Sequence, residues 1–181
     1  MSLPIGSSAT QPIPAQVVTF AVYREGAALA SGIADVKLPD IGFVTEEVFG
    51  AGMTGKLEVV MPLLEAMVAT IKWRTVHEDQ FTLMQVLQQQ GLIFRVAQES
   101  YDPGAGGPRF DGVSVRMRAQ GKKLTGGSVA PGTATDTEIE LAVHYLKMVT
   151  NSGKILIEAD PVGRVLIVDG VDQLASLRAL L

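Results

Sequence analysis

The chain has 181 residues with 15 basic and 19 acidic side chains, a net charge of −4, and a composition that is 47% hydrophobic but only 19% charged. The acidic balance argues against electrostatic clamping of nucleic acid, and the absence of cysteine excludes disulfides, thiolate nucleophiles and cysteine zinc sites. A chain this apolar must either hide a large core or present apolar surface to partners.

Residues 1–15 hold Pro4, Pro12 and Pro14 and no hydrophobic period, so they read as an extended arm, with residues 16–181 forming a single domain. The opening residues lack a basic segment followed by a long apolar run, and no signal peptide is expected. Every apolar run falls short of the about 18 residues a membrane span needs, so no stable membrane association is expected. Residues 16–23 alternate, with Val18, Phe20 and Val22 on one face of a half-buried strand. Residues 24–26 turn the chain, and residues 32–38 return as a second strand that Pro39 closes.

Residues 39–55 show no clear period and are expected to be one long loop. Loops of that length inside a domain are uncommon and usually functional or disordered. This one carries Ile41, Phe43, Val44, Val48, Phe49 and Met53, too apolar for a loop that stays in water, and is expected to pack against a neighbouring subunit. Its glycines, Gly50, Gly52 and Gly55, also satisfy the dinucleotide pattern, and with Lys56 the front of a P-loop. Both chemistries need a helix N-terminus after the glycines to hold phosphate. Here Glu46 and Glu47 precede the glycines, residues 56–62 read as a strand stopped by Pro62, and Leu57 stands where a P-loop needs a hydroxyl. No nucleotide is expected, and the glycines are read as letting the backbone bend.

Two further strands are expected at residues 57–61 and 65–74. The period then changes: Thr75-x-x-Glu78 forms a capping box, and Phe81, Leu83, Met84, Val86 and Leu87 make the apolar stripe of a helix over 76–90 that Gly91 ends. His77, Glu78 and Asp79 are consecutive, so their side chains diverge, and they read as the polar first turn of that helix rather than as metal ligands. Strands resume at 92–97 and 113–117, separated by the glycine-proline turn 102–108, and residues 121–136 read as a loop. In the strand 137–148, Ile139, Leu141, Val143 and Tyr145 face one way and Glu138, Glu140, Ala142 and His144 the other, with the alternation blurring after Tyr145. Residues 155–158 and 164–168 form a hairpin across the turn Asp160-Pro-Val-Gly163, and a terminal helix follows with Leu174, Leu177 and Leu181 as its stripe.

About nine strands joined by short turns, one central α-helix and a short C-terminal helix make the expected fold mainly β, an antiparallel sandwich or barrel. Arg116 with Arg118, and Glu138 with Glu140, read first as the wet face of a half-buried sheet. With two distant histidines, no Gly-x-Ser-x-Gly elbow and no His-Glu-x-x-His helix, no catalytic, cofactor-binding or metal-binding residue is expected and the chain does not read as an enzyme.

Four stretches in order, Gly32-Ile-Ala-Asp-Val-Lys-Leu-Pro39, Gly50-Ala-Gly-Met-Thr-Gly55, Lys72-Trp-Arg-Thr-Val76 and Gly170-Val-Asp-Gln-Leu-Ala-Ser-Leu-Arg-Ala-Leu180, resemble the major tail tube proteins of contractile-tailed bacteriophages and phage-tail-like particles. The resemblance runs from about Ile13 to the end of the chain. It implies a subunit made in a bacterial host's cytoplasm that joins homo-hexameric rings, stacked into the hollow tail tube of a virion inside a contractile sheath. Partners would then be further copies of the chain, sheath and baseplate proteins. DNA would pass through the lumen without specific binding, or the tube would puncture a membrane in DNA-free particles. Phe43, Val44, Phe49, Gly50, Gly52 and Gly55 become candidate subunit-interface residues, and Arg116, Arg118, Glu138 and Glu140 candidate lumen-facing ones. A type VI secretion tube protein is the alternative within that architecture, and a small-ligand-binding β-barrel the alternative outside it.

Overall fold

The alternating segments become strands of one antiparallel sheet in the computed structural model, which describes residues 12–24, 27–28, 32–104 and 106–180. In chain order the elements are β1 (Ile13–Arg24), β2 (Ala27–Ala28), β3 (Ile33–Lys37), β4 (Phe43–Val48), β5 (Leu57–Leu64), β6 (Met67–Trp73) and α1 (Glu78–Leu83). They continue with β7 (Gln90–Asp102), β8 (Gly107–Thr125), β9 (Thr137–Thr150), β10 (Ile155–Asp160), β11 (Val165–Val168), β12 (Val171–Asp172) and α2 (Ala175–Arg178). Ten strands form one sheet in the order β12-β11-β10-β9-β8-β7-β1-β2, with β6 pairing β9 and β3 pairing β6 off that path, while β4 and β5 form a separate two-stranded sheet.

The long strand β9 ties the layers together. One edge runs along β8; the other pairs with β6 through residues 137–143 and with β10 further on. Val36 and Leu38 of the β3–β6 wing pack against the core that Val22, Phe94, Val115 and Met117 contribute from the main path, so the sheet folds over itself in the manner of a sandwich. Trp73, the only tryptophan, is 1% exposed and stands in register with Thr137 on one side and Ile33 on the other.

The blurred alternation in β9 has a definite cause. Arg118 pairs with Tyr145 but Ala119 pairs with Val143, so His144 is an extra residue in the ladder, a β-bulge. Before it Ile139, Leu141 and Val143 point into the core; after it Leu146 does, and Tyr145 and Lys147 face outward. The His144 ring nitrogen Nε2 lies 3.0 Å from Gln120 Oε1, and Gln120 Nε2 donates to the Val86 carbonyl, which ties the segment after α1 to the sheet.

Several expectations are corrected. Residues 39–55 are not one loop, since Phe43–Val48 is strand β4, paired with β5. The helix expected over 76–90 spans only Glu78–Leu83, because Gln90 is already paired with Ala119 as the start of β7 and tertiary pairing overrides local helical pattern. Its cap is not Thr75: His77 is the N-cap, its Nδ1 accepting from the Asp79 amide, while the Thr75 carbonyl accepts from the buried Gln80 side chain, which also donates to Thr137 Oγ1 at 2.7 Å. β8 extends to Thr125, taking residues 121–125 out of the expected loop, and residues 13–15 of the expected arm belong to β1. The rest of that arm through residue 11, the turn at residues 25–26 and Leu181 lie outside the described residues.

Candidate assembly surface

The β4–β5 hairpin owes its form to short alternation on both strands. Thr45 pairs with Val60, Glu46 with Val59, Glu47 with Glu58 and Val48 with Leu57. Paired residues share a face, so Thr45, Glu47, Glu58 and Val60 form a largely polar side. Val48, Leu57 and Val59 share the other side with Glu46, and Val44 joins them by alternation. Between Phe43–Leu64 and Thr45–Val60 the register slips by two residues around Pro62, where a residue without an amide proton is tolerated because the ladder is already interrupted. At the base Ile41, Phe43 and Leu64 pack against the chain's own core, and the Glu65 amide donates to the Gly42 carbonyl at 2.9 Å.

Beyond that base the hairpin stands clear. Phe49 is 68% exposed, Val60 62% and Leu57 56%, and Val44, Val48, Met53 and Val59 are exposed too. An isolated two-stranded hairpin is at best marginally stable in water, and apolar residues in such density are unusual on a surface that stays in water. Among the three glycines of the tip only Gly52 has a left-handed backbone, at φ +91°; Gly50 and Gly55 are surrounded by open space and do not require glycine for conformation. A strand, β5, follows Gly55 and Lys56, so the helix N-terminus on which a nucleotide site would depend is not there.

The outward face of the sheet is polar and charged. Arg116 stands in register with Lys147 and Arg118 with Tyr145; the Arg118 guanidinium lies 4.8 Å from the Tyr145 ring centroid and that of Arg95 5.2 Å from Tyr23. The Tyr145 hydroxyl donates to Glu158 at 2.8 Å, and Lys147 Nζ sits 2.8 Å from the other Glu158 oxygen. Burial disfavours the phenolate, and with the adjacent Glu158 carboxylate it pushes the Tyr145 pKa up to about 12. The Lys147 ammonium, above all, holds Glu158 below the usual carboxylate range. Further along β9, Glu138 pairs with Lys72 at 3.5 Å and Glu140 with Lys122 and Lys123 at 3.6 and 3.5 Å.

The sequence profile of the family "Phage tail tube protein FII" matches residues 14–181. The chain belongs to that family. It is a family of structural proteins rather than enzymes. No curated protein sequence matches this chain. Among solved structures, this tail tube chain is similar to the anti-feeding prophage cap, described as the tube-terminating cap, with a TM-score of 0.57, 18% identity and coverage of 83% of this chain and 99% of that one. It is also similar to the sheath/tube terminator of the extracellular contractile injection system PVC in the extended state, at TM-score 0.51, 16% identity, and 76% and 96% coverage. A chain of the PVC sheath-tube complex in the extended state gives TM-score 0.51, 16% identity, and 81% and 98% coverage. These likenesses establish a tail tube-like fold, antiparallel and mainly β with two short helices.

The structure gathers the interface candidates Val44, Phe49, Gly50, Gly52 and Gly55 of this tube protein onto one hairpin, whereas Phe43 is anchored at its base. It puts Arg116, Arg118, Glu138 and Glu140 on one sheet face but brings neither arginine to either glutamate: the bulge at His144 separates the two pairs, and Arg118, Glu138 and Glu140 each have another partner. Sequence reasoning missed the returning side of the hairpin, Leu57, Val59 and Val60, although their signal was the alternating stretch Leu57-Glu-Val59 opposite Val44-x-Glu46-x-Val48. His77, Glu78 and Asp79 cap a helix, and among the described residues no group of three or more histidines and acids is placed to hold a metal. No helix among the described residues is long and apolar enough to cross a membrane.

Proposed function

We propose that this chain is the repeating subunit of an inner tail tube, joining hexameric rings that stack around a lumen and sit inside a contractile sheath. The observation that carries the reading is the β4–β5 hairpin, rooted in the core at Phe43 and Leu64 but exposing Val48, Phe49, Leu57 and Val60 beyond it. A subunit buries such a projection against another copy, and a heterologous contact repeated about a symmetry axis closes into a ring. Support for a sheath partner comes from the similar chain of the PVC sheath-tube complex, and baseplate proteins would cap the same assembly. The outward sheet face, which carries both signs in Arg116, Arg118, Glu138 and Glu140 and partners all of them but Arg116, suits a lumen wall along which DNA moves without specific binding. In a DNA-free particle the same tube would puncture a membrane.

Electron microscopy of the concentrated protein, with sedimentation velocity across a dilution series, tests the reading. Six-membered rings or stacked tubes are expected at high concentration. A strict monomer throughout, with no rings on the grid, would sink it.

A further inference from the structure

A second apolar surface is lined by residues outside the hairpin. Between the β3 wing and the inner face of β1, β7 and β8 runs an apolar groove of about 520 Å³, lined by residues that include Val17, Phe20, Val36, Leu38 and Leu156. Among the described residues its only charged lining residue is Asp35, whose carboxylate has no hydrogen-bond or ion-pair partner there. Val17 and Leu156 are 53% and 37% exposed, so the groove is open to solvent. Its volume is that of a ligand pocket, but apart from Asp35 and Gln98 it lacks the convergent polar groups that orient a small molecule.

We propose that this groove is the seat of the hairpin tip of a neighbouring copy, with Phe49 entering between β3 and β1 and Lys56 meeting Asp35 at the rim. The inference rests on the reading of the chain as a tube subunit and names the surface that receives its hairpin. The chain presents both an apolar projection and an apolar hollow, and no residue lining the hollow comes from its own hairpin. A strand the length of β4 reaches about 17–20 Å, enough to cross to an adjoining subunit. The charges also match. Lys56 is the only cation in the hairpin and sits beside Leu57 at the tip, while Asp35 is the only charge that the described residues bring to the groove. Lys56 is held at 2.6 Å by Glu47, but both side chains are exposed, and an exposed ion pair is weak enough to be exchanged. Phe49 is 68% exposed on this tip, and Gly52 takes the left-handed backbone within it.

The cysteine-free chain allows a direct test. Gly50→Cys protein, which keeps Phe49 and places the new side chain in open space, is mixed with Leu156→Cys protein, or with Val17→Cys protein, under assembling conditions and then oxidised. A disulfide-linked pair holding one copy of each is expected, at a yield about tenfold above that of Gly50→Cys mixed with Val129→Cys, because docking raises the effective thiol concentration. Val129 is 91% exposed and lies outside both surfaces. Asp35→Lys alone should lower the assembled fraction about fivefold, and combining it with Lys56→Asp should restore it. Rings that form without enrichment at either Leu156 or Val17 overturn the groove while leaving the tube reading intact. Unaltered assembly of Asp35→Lys overturns the rim pairing, and absence of rings at every concentration removes both readings.

Discussion

Replacing Phe49 by serine separates what the hairpin does for the monomer from what it does for the assembly. Full burial of a phenylalanine side chain contributes about 1.5–3 kcal/mol. At 68% exposure only about a third of that is realised within one chain, or roughly 0.5–1 kcal/mol. In a domain of this size each kcal/mol moves the melting temperature by about 2–4 °C, so the dilute monomer should melt at most about 4 °C lower than the parent. The remaining 1–2 kcal/mol, roughly, becomes available at each contact between copies, and its loss weakens each contact about 5- to 30-fold. Because every subunit of a closed ring makes that contact, assembly should fail at concentrations where the parent forms rings. Thermal melts of dilute protein, read beside sedimentation and electron microscopy of concentrated protein, give both numbers. A melting temperature lowered by about 8 °C or more, with rings still forming, would refute the reasoning by placing Phe49 in the chain's own core.

A methyl group added at Gly121 would lie 2.7 Å from both the Leu83 carbonyl oxygen and Met84 Cα, so Gly121→Ala should push the end of α1 off β8 and cost about 1–3 kcal/mol, visible as a lowered melting temperature; an unchanged melt would show that the helix is not seated there. The Tyr145 pKa of about 12 lies above that of an unfolded tyrosine, so its stabilisation is complete below about pH 10 and is lost as pH rises towards 12. Tyr145→Phe should therefore lose less melting temperature over that interval than the parent, and equal losses would contradict the assignment. Glu158 runs the other way: its depressed pKa gives stability that is present above the unfolded carboxylate value and disappears as pH falls through the folded one, so Glu158→Gln should flatten the acid limb of the melting curve.

Much of the sheet was legible because its strands alternate where one face is buried. Met67 to Trp73 and Ile139 to Val143 show in sequence the alternation that their burial later displays. Strand β4 was hidden because Glu46 and Glu47 interrupt its apolar pattern and its partner lies across a glycine tip and a register slip at Pro62, information that no local window contains. The helix was overextended for a related reason: Val86 and Leu87 continue its periodic stripe, yet they end up 63% and 98% exposed because Gln90 is held in β7. The hairpin's apolar character was read from its residues, but the groove was not, since Val17, Val36 and Leu156 come from three distant strands that only the folded topology brings together.

The single extra residue at His144 governs which changes of length β9 can accept. Removing it would make Val143 and Tyr145 consecutive, so the alternation becomes unbroken while Tyr145 and Lys147 stay outward and Leu146, fully buried, stays inward. An insertion of one residue elsewhere in the strand instead inverts the facing on one side of itself, whereas a change of two preserves every inward and outward assignment. Length variants of this strand should therefore survive in even steps and fail in odd ones everywhere but at the bulge, the one place where the parity passed from the β6 wing to the β10 wing can be reset.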